Sequence, residues 1–243
     1  MTEVAARSEH HAEHEFRIGG VLNRAWSVLS RNFLTFFLVT VIASLPDLLF
    51  TKPGQNQGLI FVGAFVSDML RRLSQAMLVY GAFQEMRGKP VSLVESLQVG
   101  FRRIVPVVGL AISAAILTGL GFVLLIVPGL IVAMMLFVAT PVCVVEQLGP
   151  FSSMDRSAQL SKGHRWKIFG LLLLMALPFV IVEVLVAAMA EIVDAGDVLA
   201  AISKLIWDAT WEAFYAILVI ATYHDLRVAK EGVDTEQIAA VFE

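Results

Sequence analysis

The sequence predicts an all-α polytopic integral membrane protein, with six transmembrane helices arranged as three hairpins and an amphipathic interfacial helix before each hairpin. Hydrophobic residues make up 58% of the chain, charged residues only 16%, and the mean hydropathy is +0.78. These values exclude an ordinary water-soluble domain. Residues 104–145 contain no Asp, Glu, Lys, Arg or His. As one helix they would measure about 63 Å, twice the roughly 30 Å of a bilayer's hydrocarbon core.

Apolar segments of spanning length recur along most of the chain. The central pair divides at Val127-Pro128-Gly129, because proline ends a helix and glycine tolerates turn geometry. The chain divides into a polar tail, a membrane domain, and a cytoplasmic tail with a short helix, at residues 1–15, 16–224 and 225–243. The six predicted spans cover approximately residues 32–50, 59–86, 104–127, 129–145, 166–190 and 199–223.

A short amphipathic helix is predicted before each pair of spans. The first begins near Val21, with Trp26 at the depth of the lipid headgroups. The second and third begin with capping boxes of the forms Ser92-x-x-Glu and Ser152-x-x-Asp. Because a surface helix, a basic junction and two spans recur three times, we infer an internal repeat of hairpin units.

The distribution of basic residues predicts the orientation. Of the 18 Lys and Arg residues, all lie on the side of the two termini except four: Lys52, Arg71, Arg72 and Lys204. This asymmetry predicts a bacterial inner membrane protein with both termini in the cytoplasm. The basic ends of the surface helices then lie near anionic headgroups. The expected headgroup contacts are Arg24, Arg31, Arg102, Arg103, Lys162, Arg165 and Lys167.

Several ionisable residues fall inside the predicted spans: Asp68, Arg71, Arg72, Glu183, Lys204, Asp208 and Glu212. Charges at that depth are costly and normally face protein or trapped water. One interpretation is a polar path or binding site for an ion, a proton or a headgroup. The other is a structural network, in which acids neutralise bases and fix helix register. We favour the structural interpretation, because paired charges can set register without transporting anything.

Four strings in the second half of the chain carry a resemblance to a known family. They are GFVLLIVPGL at 121–130, PVCVVEQLGP at 141–150, MDRSAQLSKGHRWKIFG at 154–170 and YHDLRVAKEGVDTEQIA at 223–239. In this order they resemble the membrane domain fused to some bacterial glycerophosphodiester phosphodiesterases, and its stand-alone six-span relatives. The family's hydrolytic chemistry belongs to a separate TIM barrel, for which six spans leave no room. The resemblance therefore implies a membrane module and not an enzyme.

No catalytic or metal motif was found in the sequence. There is no G-x-S-x-G, H-E-x-x-H, P-loop or paired-cysteine pattern. His10, His11 and His14 lie in the polar tail, where a solvated tail is a better interpretation than a metal site. The single cysteine, Cys143, is expected to be a buried thiol. Basic residues are too dispersed for nucleic-acid binding, and we expect no cofactor and no metal.

The leading hypothesis is therefore a non-enzymatic membrane-organising or accessory protein. It would contact lipids with anionic headgroups, and a membrane-protein partner or a second copy of the chain. The alternative is a small transporter or channel that uses the charges inside the spans. A membrane-embedded hydrolase is the weakest candidate, since no nucleophile–base pair is recognisable.

Overall fold

The computed structural model describes residues 16–50, 57–192 and 197–231, and in these ranges it is all-helical. The prediction of an all-α fold is confirmed for this part of the chain. In order the helices are α1 Ile18–Arg31, α2 Phe33–Phe50, α3 Gln57–Met86, α4 Leu93–Leu124, α5 Ile126–Leu136, α6 Ala139–Val145, α7 Pro150–Ser161, α8 Arg165–Ile192 and α9 Asp197–Glu231. The histidine tail at 1–15 and the short helix predicted near the C-terminus lie outside the described residues.

Four segments of the described chain are long and apolar enough to cross a membrane: Leu93–Leu124, Ile126–Val145, Arg165–Met189 and Ala201–Glu231. The count becomes five if Ile18–Arg31 and Phe33–Pro46, which bend by 85° at Asn32, form one broken span. The structure thus supports four or five spanning helices, where the sequence predicts six. Neither count includes α3, which is long enough to cross but carries several charges near its middle, and the lower count also leaves out α2.

The amphipathic helices differ from their predicted form. The predicted second surface helix and the span at 104–127 are one continuous helix, α4, so they are not separate elements. The Ser92 side chain does accept from the Glu95 backbone N–H, as its capping box predicts. The third helix begins at Pro150 with Gly149 as its N-cap, so the capping box predicted at Ser152 is wrong. Proline suits this first helical position, because its missing N–H would have no partner there.

The apolar face of α1 packs on protein. Its amphipathic pattern predicts a helix lying in the membrane surface. In the structure Val21, Ala25, Val28 and Leu29 are buried, mainly against α9. Trp26 remains 63% exposed. The amphipathic pattern of α1 therefore corresponds to a contact with the protein core. The opposite face of the helix and Trp26 remain accessible.

The turn of the central hairpin lies earlier than predicted. The chain breaks at Leu125, which has extended backbone angles, and α5 already begins at Ile126. Pro128 is thus within the first turn of α5, where a missing N–H costs no helical hydrogen bond. The turn closes tightly because Gly121 packs on Gly129. A Cβ on Gly121 would lie only 2.9 Å from the Cα of Gly129.

The core is built around the C-terminal half of α9. Residues 216–224 are all buried, so every face of this segment meets protein. Helices α1, α2, α3, α6, α7 and α8 all contact α9. Thr40 on α2 donates a hydrogen bond of 2.9 Å to the Ala209 carbonyl of α9. Far from this core the helices are exposed, as at Phe61 and Val123, which are 76% and 83% accessible.

Contacts between distant segments meet at one end of the molecule. Arg24 on α1 pairs with Asp225 on α9 at 3.2 Å. Lys167 at the start of α8 donates to the Phe16 carbonyl at 2.9 Å. The other two contacts are Arg31 with Glu85 at 3.8 Å and Arg103 with the Gln147 carbonyl at 2.9 Å. We call this region the basic end; it is formed by α1, α7, the part of α4 around Arg103, the start of α8 and the ends of α3 and α9.

The glycine contact in the central hairpin can be tested by substitution. In Gly121→Ala the new methyl group meets backbone that cannot rotate away, so we expect about 2 kcal/mol of destabilisation. Gly119→Ala is a matched control on the same helix, because a Cβ there meets nothing within 4 Å. Thermal melting in detergent measures both. Equal melting temperatures for the two variants would contradict the tight turn.

Candidate functional site

The charges inside the predicted spans form pairs in the structure. On α3, Arg72 contacts Asp68 one helical turn earlier, at 3.3 Å. On α9, Lys204 contacts Asp208 one turn later, at 3.2 Å. Lys204 also reaches Glu183 of α8 at 2.5 Å. Lys204 thus joins α8 to α9 through carboxylates on both helices.

One contact joins α3 to α9 near these pairs. Ser74 on α3 donates to a Glu212 carboxylate oxygen on α9 at 3.4 Å. We use the name charge network for the three cations and four carboxylates that the sequence places inside the predicted spans: Arg71, Arg72, Lys204, Asp68, Glu183, Asp208 and Glu212. The positive and negative charges of this set nearly balance.

An aromatic stack adjoins the Lys204 cluster. Phe179 stacks on Trp207 with centroids 6.2 Å apart, and it contacts Trp211 at 5.2 Å. The Nε1 of Trp207 and the Oε2 of Glu183 are buried, and neither has a hydrogen-bond partner among the described residues. One donor and one acceptor therefore remain available beside an ion cluster. This arrangement could hold a water molecule or a small polar ligand.

The seven basic residues predicted to contact headgroups differ in their surroundings. Four form side-chain contacts with other residues of the chain, namely Arg24, Arg31, Arg103 and Lys167. Arg165 is half-buried, and its Nε has no hydrogen-bond partner in the described ranges. The side chains of Arg102 and Lys162 are exposed, and they form no ion pair or hydrogen bond with the residues that the structure describes.

A second ionic cluster lies at the basic end and was not predicted from the sequence. Arg156 on α7 contacts Glu146 at 3.0 Å and also pairs with Glu231 at the end of α9. Arg227 contacts Glu231 at 3.0 Å, and Tyr223 donates to Glu146 at 2.9 Å. Together these five residues tie α7 and the loop after α6 to α9. We call them the terminal lock.

The electrostatics of Arg156 fit a structural role for the terminal lock. Burial opposes the charge on Arg156, but its hydrogen bonds to Glu231 and Glu146 outweigh burial and raise the pKa of the guanidinium. The group therefore stays charged. The sequence offers one local signal for this cluster, the spacing of Arg227 and Glu231 by one helical turn. Its other partners are distant along the chain, so no pattern brings them together.

The described residues contain no group of three or more His, Cys, Asp or Glu that could hold a metal ion. No family model matches the chain, and no curated protein or solved structure matches it. The resemblance to the membrane domain of glycerophosphodiester phosphodiesterases therefore stays an expectation from the quoted strings. The site must be interpreted from its own geometry.

The terminal lock predicts a specific cost for losing Arg156. Arg156→Gln leaves Glu146 and Glu231 without their shared counter-charge, so we expect the free energy of unfolding to fall by about 2 kcal/mol. Arg102→Gln removes the same charge from an exposed side chain and should change stability by less than about 0.5 kcal/mol. Denaturant titration of the detergent-solubilised protein measures both. A smaller loss for Arg156→Gln than for Arg102→Gln would refute the lock.

Proposed function

We propose that this chain is a non-enzymatic membrane-organising or accessory protein whose basic end binds anionic lipid headgroups. The observation that carries this proposal is the accessible basic and aromatic surface at that end. Arg102 and Lys162 are exposed, and large apolar side chains lie beside them in the sequence: Phe101 at 59% exposure and Trp166 at 82%. Basic and aromatic side chains together are typical of the membrane–water interface.

The proposal includes six crossings, with both termini in the cytoplasm of a bacterium. Four contacts at the basic end, which involve three successive pairs of helices, support it. The start of α2 follows Arg31, which lies beside Glu85 near the end of α3. Arg103 of α4 contacts Gln147, just after α6. The start of α8 and the end of α9 both contact the α1 region. Along each pair of helices the chain thus starts at the basic end and comes back to it. This arrangement favours an even number of crossings.

We further propose that α3 crosses the membrane despite its charges. It contains 30 residues, or roughly 45 Å of helix, enough for the hydrocarbon core. Asp68 and Arg72 pair with each other one helical turn apart, at 3.3 Å. An ion pair carries no net charge, so it costs less inside a bilayer than an isolated charge does.

A partner chain fits the exposed surface of α4. The sequence places Ala111, Ala115 and Gly119 one turn apart, which is typical of close helix contacts in membranes. Ala115 and Gly119 are exposed, and a Cβ on Gly119 would meet nothing within 4 Å. This stripe is therefore not used within the chain. A second copy or another membrane protein is the proposed occupant.

The headgroup role can be tested by lipid composition. We expect Arg102→Gln with Lys162→Gln to lower the enrichment of phosphatidylglycerol around the protein by about fivefold for each charge removed. Arg102→Lys with Lys162→Arg keeps both charges and should keep the enrichment. The measurement is mass spectrometry of lipids extracted with the protein in polymer nanodiscs. Equal enrichment in all variants would count against the proposal.

The alternative function, a small transporter or channel, rests on the Lys204 cluster. Lys204→Met leaves Glu183 and Asp208 without a counter-charge, whereas Glu183→Gln leaves Lys204 paired with Asp208. If the cluster is structural, we expect Lys204→Met to destabilise by about 1–2 kcal/mol, more than Glu183→Gln. Neither variant should then change proton or ion flux in proteoliposomes. Lost flux in Glu183→Gln with unchanged melting would favour transport.

A further inference from the structure

An apolar groove of about 380 Å³ lies between α2, α3 and the first turns of α4. Its walls include Val39, Ile42, Leu73, Met77, Leu93 and Leu97. The groove is open to the outside, since Ile42 is 63% exposed and Leu93 is 50% exposed. Its volume falls in the range of small-molecule sites, about 300–1,000 Å³. Its lining suits a hydrocarbon chain.

A small chamber of about 10 Å³, enough for one oxygen-sized group, adjoins the groove and is lined by a polar atom. The chamber shares Val39, Met77 and Leu93 with the groove, and it is also lined by Ser96. Ser96 is only 3% exposed, and its hydroxyl has no hydrogen-bond partner among the described residues. A buried hydroxyl without a partner is unfavourable, so this donor points to an acceptor on a bound molecule.

Charged residues are close in sequence to residues of the chamber wall. Lys89 is exposed, two residues before Val91 of the chamber wall, and it has no ion pair within the described ranges. Arg31 precedes Thr35 of the same wall by one helical turn, and it shares its charge with Glu85 at 3.8 Å. Glu95 is exposed on the first turn of α4. Lys89 is thus the free cation nearest to the chamber along the described chain.

We propose that the groove and chamber bind one membrane phospholipid. An acyl chain lies in the groove, an ester carbonyl accepts from the Ser96 hydroxyl, and the phosphate lies near Lys89. In this arrangement the apolar wall of the groove matches the acyl chain, the Ser96 hydroxyl matches the ester, and Lys89 matches the phosphate. A partner helix fits less well, because its backbone carbonyls are already used within the helix and offer Ser96 no acceptor. This inference rests on the proposed function, since it requires the basic end to face the headgroups.

Native mass spectrometry after detergent exchange tests the site, with palmitoyl-oleoyl phosphatidylglycerol as the probe. We expect the wild-type chain to retain one phospholipid. Ile42→Trp places an indole in the groove and should lower retention at least tenfold. Leu38→Trp is the matched control, because Leu38 lies one turn away, is 48% exposed and does not line the groove. Ser96→Ala should weaken retention about fivefold without lowering the melting temperature.

Three results would overturn the inference: no phospholipid on the wild-type chain, equal retention by Ile42→Trp and Leu38→Trp, or equal retention by Ser96→Ala and wild type. A second copy of the chain that leaves when Ile42→Trp is introduced would also overturn it, in favour of a protein occupant. The lipid enrichment measured with Arg102 and Lys162 is independent of the groove. If enrichment persists while no lipid is retained, the groove proposal fails and the proposed function stands.

Discussion

The burial of the C-terminal half of α9 on every side determines how the other helices pack. Residues 216–224 have no exposed face, so surrounding helices must bring apolar surface to every side. This requirement accounts for the position of α1, whose apolar face covers α9 and is not left for lipid. It also accounts for the terminal lock, in which Arg156 and Glu146 hold α7 and the loop after α6 against α9. Packing at one end leaves the opposite ends of the helices exposed.

Charge pairing sets a second constraint in the exposed half of the molecule. Hydrocarbon does not solvate ions, so an acid or base inside a bilayer would need a partner within the protein. Lys204 is the partner of two carboxylates, those of Glu183 and Asp208. Asp68 and Arg72 are partners of each other. Such pairs specify which helices are neighbours, since a rotated α8 would separate Glu183 from Lys204. We therefore infer that these ion pairs fix the rotation of each helix relative to its neighbours.

The sequence predicts the helices better than it predicts the turns and the contacts between them. The starts of α2 and α8 that hydropathy predicts lie within one residue of the observed starts. A change from polar to apolar residues marks each of these boundaries. The turn at Leu125 was missed because proline is tolerated in the first turn of a helix, so Pro128 does not mark the break. The pairs within one helix, such as Asp68 with Arg72, follow from spacing. The pairing of Arg156 with Glu231 does not, because it depends on how distant helices pack.

The proposed topology requires α3 to cross the membrane and to return the chain to the basic end. Single cysteines at Gln57, the first residue of α3, and at Gly88, two residues beyond its last, test this crossing in a Cys143→Ala background. A membrane-impermeant maleimide should label the Gln57 position only from the periplasmic side. It should label the Gly88 position only from the cytoplasmic side. Labelling of both positions from the same side would show that α3 does not cross the membrane.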